Sequence, residues 1–233
     1  MTDQHLSSQY ESELQVVSAQ LIKLGQLIDD QIFQAIDALV RSDATGARQV
    51  IATETAVNAL EIQIDHEITS IIARRQPAAR DLRLLMAISK ASSNLERVGN
   101  EADRMANKVL ALIDRGTPGT LPLHKLSAAA KLTTDLLGNA LQAFAQLDLT
   151  AAVAVIKENK FGYKEVDELV GHLVNCLIEN PRMTSYCVEL VSLSKSLELI
   201  VDHAKHIAEL VIYVVQGSDV RHTPADQIES LVM

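Results

Sequence analysis

The sequence is short of what a strand-and-turn fold requires. Nine glycines and five prolines serve 233 residues, too few turn formers for many short strands. Aromatic residues are also scarce, with three Phe, four Tyr and no Trp, so any core is aliphatic. The two cysteines, Cys176 and Cys187, form no metal or redox spacing motif. One pair cannot staple a chain this size, and both read as reduced core thiols of a cytoplasmic protein. No apolar run approaches the ~20 residues of a membrane helix, the longest being stretches such as Leu210 to Val215. The N-terminal MTDQHLSSQYESE is polar and acidic, unlike a signal peptide. Positive charge is in the minority, 21 Lys and Arg against 30 Asp and Glu, a net charge of −9. That balance argues against a protein that grips nucleic acid by its phosphates. The sequence carries no nucleophile elbow, P-loop or dinucleotide fingerprint.

What the sequence has in quantity is apolar residues, 48% of the chain, set at helical spacing. Leu14, Val17, Leu21, Leu24, Ile28, Ile32, Ala35 and Leu39 recur at three- and four-residue steps. Leu84, Ile88, Ala91, Leu95, Val98, Ala102, Met105, Val109 and Leu112 form a second, longer stripe. Each stripe gives its helix one apolar face. The breaks between stripes are short, and they predict six long helices at about 8–41, 44–75, 78–115, 122–146, 149–179 and 183–216, followed by a polar tail. The one Gly/Pro-rich linker is GTPGTLP, residues 116–122.

The second half repeats the first. Ala35, Ala38, Asp43, Thr45, Ala47, Val50 and Ile51 recur 105 residues later as Ala140, Ala143, Asp148, Thr150, Ala152, Val155 and Ile156. Pro77 recurs as Pro181 at an offset of 104, and LERVGNEADRMA (95–106) aligns with LELIVDHAKHIA (197–208) at 102. The expected fold is all-α: two tandem three-helix bundles from an internal duplication. Residues 1–115 form the first and 123–217 the second, with a linker at 116–122 and a polar C-terminal tail at 218–233. Short loops make successive helices antiparallel, so each bundle runs up-down-up.

Carboxylates line one face of the second helix at Glu54, Glu61 and Asp65, with Asn58 among them, in steps of four, three and four. Glu96, Asn100 and Asp103 do the same on the third helix, which is antiparallel to the second, so the two rows are placed to meet. In the second half, Glu198, Asp202 and His206 stand at i, i+4, i+8 and Glu165 is placed to face them. Converging oxygens suit a hard cation; a solvated helix flank explains the same spacing. No Glu-x-x-His pair lies on the third or sixth helix, which excludes a ferritin-like di-iron centre. Arg74, Arg75, Arg80 and Arg83 form the densest basic cluster, in RRQPAARDLR (74–83). It reads either as a docking patch for an acidic partner or a phosphate, or as charge placed at the negative end of the second helix.

IIARRQPAARDLRLLMAISK (71–90), LERVGNEADRMA (95–106), ENPRM (179–183) and SLELIVDHAKHIAELVIYVVQGSDVRHT (196–223) closely resemble the PhoU family of bacterial phosphate-transport regulators. The resemblance runs from about residue 10 to 223 in the same two-repeat order. It implies a non-catalytic, dimeric, cytoplasmic adaptor that keeps the phosphate-starvation response off. Such an adaptor links the ATPase subunit of the high-affinity phosphate ABC transporter to a sensor histidine kinase, and restrains phosphate uptake. It implies no nucleic-acid partner and no membrane insertion, only peripheral association through those partners. Some members bind iron clusters or other metals, so the resemblance also implies the alternative of a metal-binding protein, with iron, zinc or another divalent or trivalent cation. The carried-over ligands are Glu54, Glu61, Asp65, Glu96 and Asn100 at one site, and Glu165, Glu198, Asp202 and His206 at the other. Asn100 stands where the family has Asp, and Asn159 and Tyr163 stand where the fifth helix usually carries acids.

Overall fold

A computed structural model describes residues 2–116 and 121–232, with side chains from residue 8 to residue 230. Its helices are α1 (Thr2–Arg41), α2 (Ala44–Arg75), α3 (Ala79–Asp114), α4 (Leu123–Gln146), α5 (Leu149–Glu179), α6 (Thr184–Gln216) and α7 (Ala225–Val232). A single 3-10 turn, Pro181–Met183, joins α5 to α6. The six long helices match the apolar stripes closely. Part of the expected linker, residues 117–120, lies outside the described residues.

The duplication is visible in the turns. Ser42 and Leu147, 105 residues apart, both adopt left-handed backbone, with φ of 56° and 49°. The amide of Asp43 then bonds the Ala38 carbonyl at 2.8 Å, and the amide of Asp148 bonds the Ala143 carbonyl at 3.0 Å. Each Asp goes on to cap the next helix: the Asp43 carboxylate accepts from the amides of Thr45 and Gly46, and that of Asp148 from Thr150 and Ala151. A C-terminal left-handed residue followed at once by an N-cap satisfies orphan carbonyls and amides in a two-residue turn.

In the first bundle α1, α2 and α3 pack mutually; in the second α4, α5 and α6 do so. The bundles join through α3 against α6 and α1 against α4, which leaves α2 and α5 on the outer flanks. The α3 stripe is buried from Leu85 to Leu112, including Ile88, Leu95, Val98, Met105 and Val109 at 0% exposure. The α3/α6 seam carries polar cross-links along its whole length. Arg83 donates to the Val214 carbonyl at 3.1 and 3.2 Å, and Lys90 sits over the Tyr213 ring. His203 Nδ1 bonds Asn94 Oδ1 at 3.1 Å. Ser196 Oγ donates to Glu101 Oε2 at 2.8 Å in the interior. Lys108 meets Ser192 and Glu189, and Tyr186 donates to the Arg115 carbonyl. The α3-side residues advance in steps of seven or four, the spacing that keeps one face of a helix on an antiparallel partner.

The C-terminal segment departs from the expected polar tail. After Gly217 ends α6 the chain turns back, Val220 and Ile228 are buried, and α7 packs on α5. Lys157 on α5 pairs with Glu229 at 2.6 Å. Two apolar residues among polar neighbours suffice to seat an eight-residue helix on a preformed surface, although they make no stripe in the sequence.

Asp43→Ala or Asp148→Ala should lower stability by about 1 kcal/mol each. Ser42→Gly should raise it by about 0.5 kcal/mol, by removing a side chain from left-handed backbone. Urea unfolding of the three variants checks both signs.

Candidate functional site

The two acidic rows of the first bundle do meet. Ser89 on α3 donates to Asp65 Oδ1 at 3.1 Å, which fixes the end of the α2/α3 interface nearest the Arg loop. Asn100 donates to Glu96 Oε1 at 2.7 Å. Glu54 stands close to Asp103 across the α2/α3 interface. Its carboxyl is raised above the usual range by burial first, then by the Asp103 charge and more weakly by Glu96. Glu61 is raised by burial, then by Asp65 and Glu96. No lysine or arginine acts on Glu54 or Glu61 among these causes, so the row holds negative charge against its own repulsion. Asp103 Oδ1 is buried with no hydrogen-bond partner. The ligand set implied by the resemblance leaves out Asp103, which the i, i+7 spacing from Glu96 already places on this face.

The equivalent row of the second bundle is arranged differently. The Tyr163 hydroxyl donates to Asp202, and Lys195 pairs with Glu198. Asn159, buried on α5, donates to the Val201 carbonyl at 2.7 Å. A Cβ on Gly162 would lie 2.9 Å from Leu136 and 3.0 Å from Val201, so a residue without a side chain is what allows α5 this close to α4 and α6. Glu165 is exposed and forms no hydrogen bond or ion pair with Glu198 or Asp202. His206 lies edge-on to His203, ring centroids 6.0 Å apart, and lines the α3/α6 seam.

Among the described residues no three His, Cys, Asp or Glu side chains converge as a metal-holding group. The second row does not fit a cation, because Asp202 and Glu198 are already taken by Tyr163 and Lys195 and Glu165 stands apart from them. The first row has the donor chemistry for one, though not that convergence: carboxylate oxygens, no lysine or arginine paired with them among the described residues, and the unpartnered Asp103 Oδ1.

The basic loop is largely occupied inside the molecule. Arg75 reaches both oxygens of Glu13 on α1 at 2.8 and 3.0 Å, and Arg74 joins it at 3.2 Å. Arg83 holds the last turn of α6 through the Val214 carbonyl, where a cation also complements the helix dipole. Of the four arginines, Arg80 alone stands exposed without a hydrogen-bond or ion-pair partner among the described residues.

Comparison with known proteins agrees with this architecture. A family model described as the PhoU domain matches twice, at residues 21–109 and 126–211, one match in each bundle. A phosphate-specific transport system accessory protein PhoU homolog from Burkholderia sp. is 40% identical over 229 residues, covering 98% of this chain and 97% of that protein. The corresponding protein of Escherichia coli K12 is 32% identical over 230 residues, covering 99% and 95%. The crystal structure of PhoU from Pseudomonas aeruginosa superposes with a TM-score of 0.84 at 36% identity, covering 90% of this chain and all of that one.

The raised carboxyls of Glu54 and Glu61 set a pH dependence. A group whose folded-state pKa lies above its unfolded value costs stability above that folded value, and the cost fades as pH falls toward the unfolded one. Glu54→Gln should therefore raise Tm at pH 8 by about 1–2 °C, after allowance for solvent screening. The gain should shrink as pH falls toward 4.5, the ordinary glutamate value. Thermal melts across that range check the sign.

Proposed function

The chain belongs to the PhoU family, non-enzymatic accessory proteins of phosphate-specific transport, and from that premise we propose that it is a negative regulator of the phosphate-starvation response. In this reading it works in the cytoplasm as a homodimer. It links the ATPase subunit of the high-affinity phosphate ABC transporter to a sensor histidine kinase, and it restrains phosphate uptake. The observation that carries the mechanism is the acid row on α2 and α3. It is conspicuous for negative charge that no Lys or Arg side chain pairs with among the described residues, so a basic partner surface relieves its repulsion. The Arg74–Arg83 loop is the weaker docking candidate, because three of its four arginines already serve contacts within the chain.

An adaptor of this kind shifts its partners only through unequal affinity. It must bind one state of the transporter or kinase better than another; equal affinity would shift nothing. A second reading is favoured by the unpartnered Asp103 Oδ1 beside Glu54: a hard divalent or trivalent cation held at the first row by Glu54, Glu96 and Asp103, with Glu61, Asp65 and the Asn100 amide around them. Such a cation would supply the missing positive charge and lock α2 to α3.

Affinity co-purification from native membranes at high and low phosphate tests the main reading. The wild type should retain the transporter ATPase or the kinase in a phosphate-dependent way. Glu96→Lys combined with Glu61→Lys should lose that retention while the helical circular dichroism is kept. Unchanged retention would remove the acid row from the mechanism, and recovery of neither partner by the wild type would remove the adaptor role. Light scattering should give twice the 25.4 kDa chain mass. Elemental analysis decides the second reading: whole-number metal content in the wild type, abolished in Asp103→Asn, supports it, and a metal-free chain ends it.

A further inference from the structure

Between α3, α6 and the turn-back segment after Gly217 lies a cleft of about 580 Å³. In a chain of net charge −9, its lining holds Lys90, Arg97, Arg221, His203, His206 and His222, and no Asp or Glu. Three of the seven histidines of the chain are therefore gathered here. Arg221 is held in place by Asp219, at 2.6 Å for the closest pair. Lys90 rests on the Tyr213 ring, and Arg97 is exposed without a partner among the described residues. Ser89, Ser93 and Asn94 supply hydroxyl and amide groups along the same wall. Burial holds His203 and His206 below their ordinary range, so near neutral pH they act as neutral hydrogen-bonding rings. Arg97 carries an unpaired positive charge, and the charges of Lys90 and Arg221 are offset in part by Asp219 just outside the lining.

This charge is not a by-product of the duplication. At the repeat offset of 102, Lys90 corresponds to Ser192, Arg97 to Leu199 and His203 to Glu101. The pseudo-equivalent end has its cations at other positions, Lys195 for Ser93, Arg104 for His206 and Lys108 for Leu210, and each is paired with a carboxylate, Glu198, Glu101 and Glu189. At the cleft end, by contrast, Arg97 has no ion-pair partner among the described residues.

We infer that this cleft binds an elongated phosphate anion, two or three linked phosphoryl groups, either free or carried on a nucleoside. The elongation follows from the spacing. Lys90 and Arg97 lie seven residues apart on one helix, about 10 Å along its axis. Side chains on one helix lean the same way, so their heads keep much of that separation. A single orthophosphate engages one of them; a chain of phosphoryl groups reaches both, with arginine giving paired donors to one group. The volume lies in the range of small-molecule sites. This inference does not depend on the adaptor reading, and co-purification of partners neither supports nor removes it.

Isothermal titration calorimetry of the full chain at 0.15 M salt tests it, with tripolyphosphate, ATP and orthophosphate as probes. Tripolyphosphate or ATP should bind one per chain, and orthophosphate at least about tenfold more weakly. Tighter binding of ATP assigns a nucleotide, and tighter binding of tripolyphosphate a free phosphate chain. Arg97→Gln should weaken binding about tenfold or more, Arg97→Lys should restore part of it, and Lys131→Gln, on α4, should leave it unchanged. Arg97 is exposed and makes no hydrogen bond or ion pair among the described residues, so its replacement should leave the fold intact, which circular dichroism checks. Absence of saturable binding by both probes, orthophosphate as tight as tripolyphosphate, or an Arg97→Gln variant with wild-type affinity would each overturn the inference.

Discussion

The antiparallel contact between α3 and α6 is the constraint on which the other features rest. It is the main joint between two bundles, with α1 against α4 as the second among the described residues. Its apolar stripe supplies burial, which is non-directional and would tolerate slippage by a turn. The polar pairs remove that freedom. A one-turn slip would separate buried Glu101 from Ser196 and leave the carboxylate with its Arg104 pair alone, at a cost of about 1.5–3 kcal/mol. Because α2 packs chiefly on α1 and α3, and α5 on α4, α6 and α7, the register of this seam also sets where both outer flanks present their polar rows.

The duplicated origin explains the seam and its asymmetry together. Asn94 corresponds to Ser196 and Glu101 to His203 at the offset of 102. The Asn94–His203 and Ser196–Glu101 bonds are therefore two copies of one contact, related by the internal pseudo-symmetry. The copies have diverged in charge. Asp103 corresponds to Lys205, so the first repeat keeps an acid where the second has a base that pairs with buried Glu209 at 3.5 Å. Burial pushes the Glu209 carboxyl up to about 7, a sign that this position retains an acid against its solvation preference. The result is one flank dense in uncompensated carboxylates, one whose carboxylates are satisfied, and one basic cleft at a single end of the joint.

Much of this is legible in the sequence because long helices announce themselves. A stripe repeated over ten turns fixes the type of an element and nearly its ends, and Asp43 and Asp148 mark the turns through their capping chemistry. The meeting of the α2 and α3 rows was also readable, since short loops force antiparallel neighbours and spacing fixes the faces. The second row was not. Spacing puts Glu198 and Asp202 on one face but says nothing of Tyr163 or Lys195, whose side chains reach them from a neighbouring helix and from the preceding turn. The roles of Arg74, Arg75 and Arg83 were hidden for the same reason: Glu13 and Val214 lie 61 to 131 residues away. The cleft and α7 escape sequence reading because both are made where the chain turns back on α3, α5 and α6, and no periodic pattern records a tertiary contact of that kind.

The central claim is that the α3/α6 seam makes the two repeats one cooperative body. Native-state hydrogen exchange, read helix by helix in the wild type and in Ser196→Ala, tests it most directly. The account predicts that amides in α2 and α5, on opposite flanks, share one opening free energy and lose protection by the same amount in the variant. Separate opening free energies for the two bundles, with the variant lowering protection in one alone, would contradict it.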